Sequence, residues 1–234
     1  MHEQKLITKY LRDYLIPKGT QPGKAQDNPK IYKKNHPFRT IINGSNHATE
    51  KMAKVVEKEL SENVRNLNTY IKDTTYFLQK LNNISQPQPN ETIMFCLEAK
   101  ALYLSVPRIE AKYACKTAFE NRTTKTISAD SVLEMMDLLL ENNNLRFDNK
   151  HSLQTDGTAI GSHLGMNYDC TYLGNWEQEL YSKSKYLPSH YWRYVDNIWG
   201  IWHYGLEKLQ QFHKLANSLH PRIQTELRYS EKEI

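Results

Sequence analysis

Residues 191–202, YWRYVDNIWGIW, constrain the fold of this chain more than any other stretch. Their aromatic and β-branched side chains suit the half-buried surface of a sheet, and Asp196-Asn197 supplies two residues that tolerate positive φ in a type I′ turn. A β-hairpin with Asp196-Asn197 at its tip is therefore expected. Leu145 to Gln154, LRFDNKHSLQ, alternates apolar and polar residues around Asp148-Asn149 and reads as a second two-residue hairpin. The segment ETIMFCLEAKALYLSV contains a buried apolar strand. Shorter strands are expected at Arg39 to Asn43, ending in the Asn43-Gly44 turn, and near Ile223 to Leu227.

Helical spacing fills most of the rest. It occurs up to Leu15, from Thr49 through Leu60 with Met52, Val55 and Val56 on one side, from Asp73 to Leu81, and from Ser131 to Leu140. From Pro107 the stripe Ile109, Tyr113, Ala114 and Ala118 is expected to be buried. A glycine patch, Gly157, Gly161 and Gly165, leads into a long helix ending near Leu180, and a last helix spans Leu206 to Leu219. Helices alternating with antiparallel hairpins predict an α+β fold with helices packed on one antiparallel sheet.

With 234 residues, 39% of them apolar, the chain can build a substantial core. Mean hydropathy is −0.73. No run approaches the roughly eighteen apolar residues of a membrane span, and the N-terminus, MHEQKLITKYLRDYL, is charged where a signal peptide needs an apolar stretch. An intracellular, non-secreted protein without membrane spans is expected. Cys96, Cys115 and Cys170 lack C-x-x-C spacing and are expected as reduced thiols. The histidines lack metal-ligand spacing, and Trp176, Trp192, Trp199 and Trp202 are assigned to the core.

The net charge of +5 is concentrated. Lys18, Lys24, Lys30, Lys33, Lys34 and Arg39 face one acid, Asp27, while the remainder is balanced. Residues 16–37, with four prolines and two glycines, are expected to form an irregular basic arm. Such a segment suits phosphate contacts, and equally a solvated charged loop.

A carboxylate that binds a hard divalent cation works alongside other oxygen ligands, so Asp196 needs a partner. Glu98 is the candidate, because a lone charge at the end of an apolar strand is costly unless it meets a sheet edge or a cation. The plain alternative is that Asp196-Asn197 does nothing but turn the chain.

The order of motifs resembles that of reverse transcriptases, and more specifically of Penelope-like retroelements, whose relatives include telomerase. The blocks are Pro29-Lys30-Ile31-Tyr32-Lys33, Arg39-Thr40-Ile41, Glu98-Ala99-Lys100-Ala101-Leu102-Tyr103-Leu104-Ser105-Val106-Pro107, Gln154-Thr155-Asp156-Gly157-Thr158-Ala159-Ile160-Gly161-Ser162 and Arg193-Tyr194-Val195-Asp196-Asn197. The resemblance implies a right-hand polymerase. Residues 1–92 would hold the N-terminal helix, basic arm and fingers segment, residues 93–234 the palm, and the thumb and any nuclease would be absent. It further implies Mg²⁺-dependent transfer of a nucleotide from a dNTP to a DNA primer 3′-hydroxyl on an RNA template, with Mn²⁺ as a substitute and the nucleus as a candidate compartment. Glu98 and Asp196 would be metal ligands, with Asn197 at the third catalytic position. Lys30 and Arg39 would neutralise the triphosphate, and Tyr103 would crowd a ribose 2′-hydroxyl. Gln154, Gly157 and Gly161 would approach template and nucleotide.

The departures carry their own expectation. Glu98 and Asn197 stand where the family has Asp, and Asp169 and Met166 where it has small residues or Pro. Glutamate moves its carboxylate by roughly 1–1.5 Å, and misplacement of that order can cost about a hundredfold. Asn197 removes a charge. The reading is thus an impaired RNA-directed DNA polymerase or, as the alternative, a catalytically dead remnant that at most binds nucleic acid. An unrelated basic α+β interaction domain is the third.

Overall fold

The computed structural model describes residues 7–17, 19–31, 34–85 and 92–230. In chain order it contains α1 (Lys9–Leu15), β1 (Gly23–Pro29), β2 (Phe38–Asn43), α2 (Glu50–Arg65), α3 (Thr74–Asn82), β3 (Ile93–Ala99), α4 (Leu102–Ser105), α5 (Arg108–Asn121) and α6 (Ala129–Glu141). The second half holds β4 (Asn144–Phe147), β5 (Lys150–Leu153), α7 (Gly165–Lys183), β6 (His190–Tyr194), β7 (Asn197–Trp202), α8 (Gly205–Ser218) and β8 (Thr225–Ser230). Tyr32 and Lys33 of the first motif block, and the breaker at 86–90, lie outside the described residues.

Two four-stranded sheets form, ordered β2-β1-β4-β5 and β6-β7-β3-β8, so the α+β layout holds with two sheets rather than one. The second is antiparallel throughout. β3 lies inside it, and strict alternation sends Ile93, Phe95, Leu97 and Ala99 to the core and Met94, Cys96 and Glu98 to the other face. Phe95 and Trp202 pack on Phe212 of α8, with ring centroids 6.4 and 5.3 Å apart. The core continues through Val56 and Leu60 of α2, Cys115 and Phe119 of α5, Met135 and Met136 of α6, and Trp176 and Leu180 of α7. Each fully buried Val, Leu or Phe side chain among them stabilises the fold by roughly 1.5–3 kcal/mol. The 92/93 position falls between α3 and β3, while the first sheet takes β1 and β2 from before it and β4 and β5 from after it.

The arm departs from expectation. Residues 23–29 form β1, hydrogen-bonded to β2 along its length and to β4 only at Gly23 and Lys24. Its polar sequence carries no apolar alternation because most of its side chains are exposed. The stripe on α5 holds at Ala114 and Ala118 and differs at its other two residues. Ile109 and Tyr113 are 83% and 71% exposed, and the buried face is Ala111, Ala114, Cys115, Ala118 and Phe119, one step round the helix. Trp176 and Trp202 are core residues, whereas Trp192 and Trp199 stack on each other at 5.2 Å on the opposite face of the second sheet, with Phe77 edge-on to both.

The Asp148-Asn149 hairpin forms as expected, with φ of +46° and +60°, as a type I′ turn requires. α6 starts at a Ser128 cap whose hydroxyl accepts a hydrogen bond from the Ser131 amide at 3.1 Å. Ser128→Ala is expected to lower stability by about 1 kcal/mol, measured by urea unfolding, because that amide then loses its acceptor.

Candidate active site

The β6–β7 turn is not the Asp196-Asn197 turn that propensity predicts. Tyr194 pairs with Asn197, so Val195 and Asp196 make the turn and Asn197 opens β7. Val195 carries the positive φ, +54°. That backbone is an outlier for a β-branched residue and costs on the order of 1–3 kcal/mol. The Val195 side chain packs against the core, where asparagine or glycine would bury little.

This one-residue difference decides where the carboxylate goes. Asn197 is the direct cross-strand partner of Glu98, so their side chains share the face turned away from the core. The Asp196 carbonyl accepts a hydrogen bond from the Ala99 amide at 2.9 Å, which locks the turn to the end of β3. Asp196 is half-buried. Burial raises the affinity of its carboxyl for a proton, its own backbone N–H opposes that, the Glu98 carboxylate adds to it, and the Arg39 and Lys30 charges oppose it. The charges that act on Asp196 thus come from the first sheet and its loop as well as from β3.

Tyr103 lies beside them. It is half-buried, its ring lies against Gly165, and its hydroxyl is pushed up to about 12, first by burial and then by Asp169, Cys170 and Asp196, with Arg39 opposing. The glycine block seats Tyr103 from behind. Gly157 has φ +61°, and a Cβ there would stand 2.3 Å from the Tyr103 carbonyl oxygen. Gly161, at φ +101°, would place one 2.6 Å from the Ile42 carbonyl oxygen of β2. The glycines therefore let the 157–161 segment pass between α4 and the first sheet, where the Ile42 amide donates to the Ile160 carbonyl at 2.7 Å. Gln154 is engaged within its own loop, donating to the Asp156 carbonyl at 2.9 Å and accepting from Asn143 at 3.2 Å.

Three features have no local sequence signature. Arg108 and Arg222 clamp the glycine loop, Arg108 donating to the Gln154 and Gly157 carbonyls and Arg222 pairing with Asp156 at 2.8 Å. Glu226 of β8 is the other cross-strand neighbour of Glu98, and Arg228 meets the Glu98 carboxylate at 3.4 Å. Asp169 is buried, and its carboxyl accepts a hydrogen bond at 3.2–3.3 Å from the hydroxyl of Thr158, whose amide donates to the Tyr103 carbonyl. Burial raises the affinity of its carboxyl for a proton, and the Thr158 hydrogen bond opposes that.

Glu98, Asp196 and the Asn197 amide are hard oxygen donors. Mg²⁺ is usually held by one or two carboxylates together with substrate phosphates, so this donor set fits it. Among the described residues no cluster of three or more His, Cys, Asp or Glu could hold a metal by itself. The Asn197 side chain donates to Asp196 Oδ1 at 2.9 Å and so occupies one of the oxygens a cation would use.

No protein-family model matches the chain, and no curated protein matches it in sequence. Solved structures do match. A telomerase from Candida albicans, in complex with a TWJ fragment of telomeric RNA, superposes with a TM-score of 0.66 at 10% identity, covering 97% of this chain and 43% of that one. Apo telomerase from Candida tropicalis, truncated from its C-terminal domain, gives 0.61 at 14%, covering 99% and 56%. The BmCPV RNA-dependent RNA polymerase in its elongation state gives 0.60 at 11%, covering 97% and 21%. The chain thus spans little more than half, or less, of the polymerases it resembles. Its fold is the fingers-and-palm arrangement that telomerases share with viral RNA polymerases. Among the described residues no helix is long and apolar enough to cross a membrane.

Proposed function

We propose that this chain is the fingers-and-palm region of a template-directed nucleic-acid polymerase, in its finer form an RNA-directed DNA polymerase of the Penelope-like kind, acting at a site weakened by Glu98 and Asn197. The observation that carries this reading is a strained Val195-Asp196 turn that sets Asp196 at the end of β3 beside the Glu98–Asn197 pair. Strain stored beside a carboxylate pair is what a preorganised site would need. Glu98 and Asp196 would hold Mg²⁺, or Mn²⁺ in its place. When bound, the cation would lower the pKa of a primer 3′-hydroxyl and offset the charge of a dNTP triphosphate. Arg39 and Lys30 would neutralise the phosphates of the incoming nucleotide, for which an arginine fork is well shaped. Tyr103, seated from behind by Gly157 and Gly165, would exclude a ribose 2′-hydroxyl. RNA template and DNA primer are the corresponding partners.

The Asn197 hydrogen bond to Asp196 favours the second reading, a site that retains the fold while binding cations poorly. Mn²⁺ binding followed by electron paramagnetic resonance tests both. Because burial and Glu98 hold the Asp196 carboxyl above the usual 3.8, protons compete with the cation at higher pH than for an ordinary carboxylate. Affinity is expected to rise about tenfold per pH unit up to a plateau whose midpoint lies above 3.8, and to vanish in Asp196→Asn. Binding that survives Asp196→Asn would remove Asp196 from the site, and no binding at any pH would leave the dead-remnant reading.

A further inference from the structure

The left-handed turn at Val195 has a restraint on its buried side. Arg193, two residues earlier on β6, is 1% exposed and spreads its guanidinium between helix α7 and the turn. Its Nε donates to Glu177 Oε1 at 2.6 Å and its Nη2 to Glu177 Oε2 at 3.3 Å and the Cys170 carbonyl at 3.2 Å, both on α7, while its Nη1 donates to the Val195 carbonyl at 3.3 Å. Glu177 is fixed in turn by the Thr69 hydroxyl at 2.7 Å, and the Arg193 amide donates to the Thr69 carbonyl at 2.6 Å.

We infer that Arg193 is a positioning residue, clamping the Val195 carbonyl to α7 and thereby holding the turn that presents Asp196 beside Glu98. Stability alone does not account for the pair, because a buried ion pair replaced by well-packed apolar residues is often neutral or stabilising. What an apolar pair lacks is a donor for the Val195 carbonyl. Arginine can reach Glu177, Cys170 and Val195 together because its donors form a rigid fork, and the point charge of lysine cannot. The turn is then held from both sides, by Arg193 at Val195 and by the Ala99 amide at Asp196. The clamp stands on geometry alone, and its consequence for cation binding rests on the polymerase reading.

The test uses the full chain in two forms, Arg193→Lys, which keeps the charge facing Glu177, and Arg193→Met with Glu177→Leu, which removes the pair without leaving a buried charge. Hydrogen exchange by nuclear magnetic resonance reads the Ala99 amide against the other β3 amides, and a Mn²⁺ titration reads the site. Ala99 is expected to exchange roughly tenfold faster or more in both variants while the remaining β3 amides keep their protection. Mn²⁺ affinity is expected to fall about 10- to 100-fold, as for other residues that orient metal ligands. Unchanged Ala99 exchange in either folded variant overturns the clamp, and failure of both variants to fold assigns the pair to stability and overturns it as well. Absence of Mn²⁺ binding in the unmodified chain counts against the polymerase reading, while the exchange measurement still decides the clamp.

Discussion

Changing Glu98 to Asp and Asn197 to Asp together is expected to raise primer extension on an RNA template by about a hundredfold or more over the unmodified chain. The register explains why both changes are needed. Glu98 and Asn197 lie directly opposite each other on β3 and β7, so the two departures act on one place in the sheet, and the Asn197 amide there holds Asp196 Oδ1. Aspartate at 197 removes that donor, frees Asp196 Oδ1 and adds a negative charge where two carboxylates would otherwise face a doubly charged cation. Aspartate at 98 draws the second ligand back by roughly 1–1.5 Å. Primer extension is compared in Mg²⁺ and in Mn²⁺, with Asp196→Ala in the reverted background as the control. Equal extension before and after reversion would clear the two substitutions as the defect. Extension that survives Asp196→Ala would place the chemistry elsewhere.

The legible parts of this site are those with a local signature. The apolar run into Glu98, the aromatic hairpin around Asp196 and the two asparagine-containing turns each announce themselves through alternation or turn chemistry. The hairpin tip nonetheless lies one residue earlier than turn propensity predicts. Asp196-Asn197 is the better type I′ pair on propensity, but the turn falls at Val195-Asp196, where the Val195 side chain packs against the core and the Asp196 carbonyl meets the Ala99 amide. β1 is hidden because its strand character comes from pairing with β2 and not from buried side chains. The α5 stripe is right at Ala114 and Ala118 and misleads at Ile109 and Tyr113, because Ala111, Cys115 and Phe119 complete the buried face instead. Arg108 and Arg222 act through partners distant in sequence, which no local window contains.

Gly157→Ala is expected to destabilise the chain by roughly 2–5 kcal/mol, a fall in melting temperature of about 5–15 °C. Two costs add. A residue with a Cβ is strained at φ +61°, and that Cβ would stand 2.3 Å from the Tyr103 carbonyl oxygen and 2.9 Å from the Leu104 Cα. Both are backbone atoms, so no rotamer change relieves the clash. Tyr103 must shift, and with it the ring proposed to select the sugar. Gly19→Ala is the matched control, since a Cβ added there would meet nothing within 4 Å. Calorimetry on the two variants decides the matter: equal melting temperatures would mean that the segment does not press on Tyr103 as described.

The interior position of β3 has a consequence for how the molecule comes into being. Its hydrogen-bonding neighbours, β7 and β8, are made long after it, and the contact between Glu98 and Arg228 joins residues 130 positions apart. Pairings so distant in sequence close late, because the loop entropy must be overcome before the contacts form. During synthesis the strand bearing Glu98 therefore emerges with its apolar face and both edges open, and waits for more than half of the chain to follow. A ribosome that stalls before β8 releases a chain in which β3 lacks one of its two strand neighbours, leaving an edge suited to pairing with another copy.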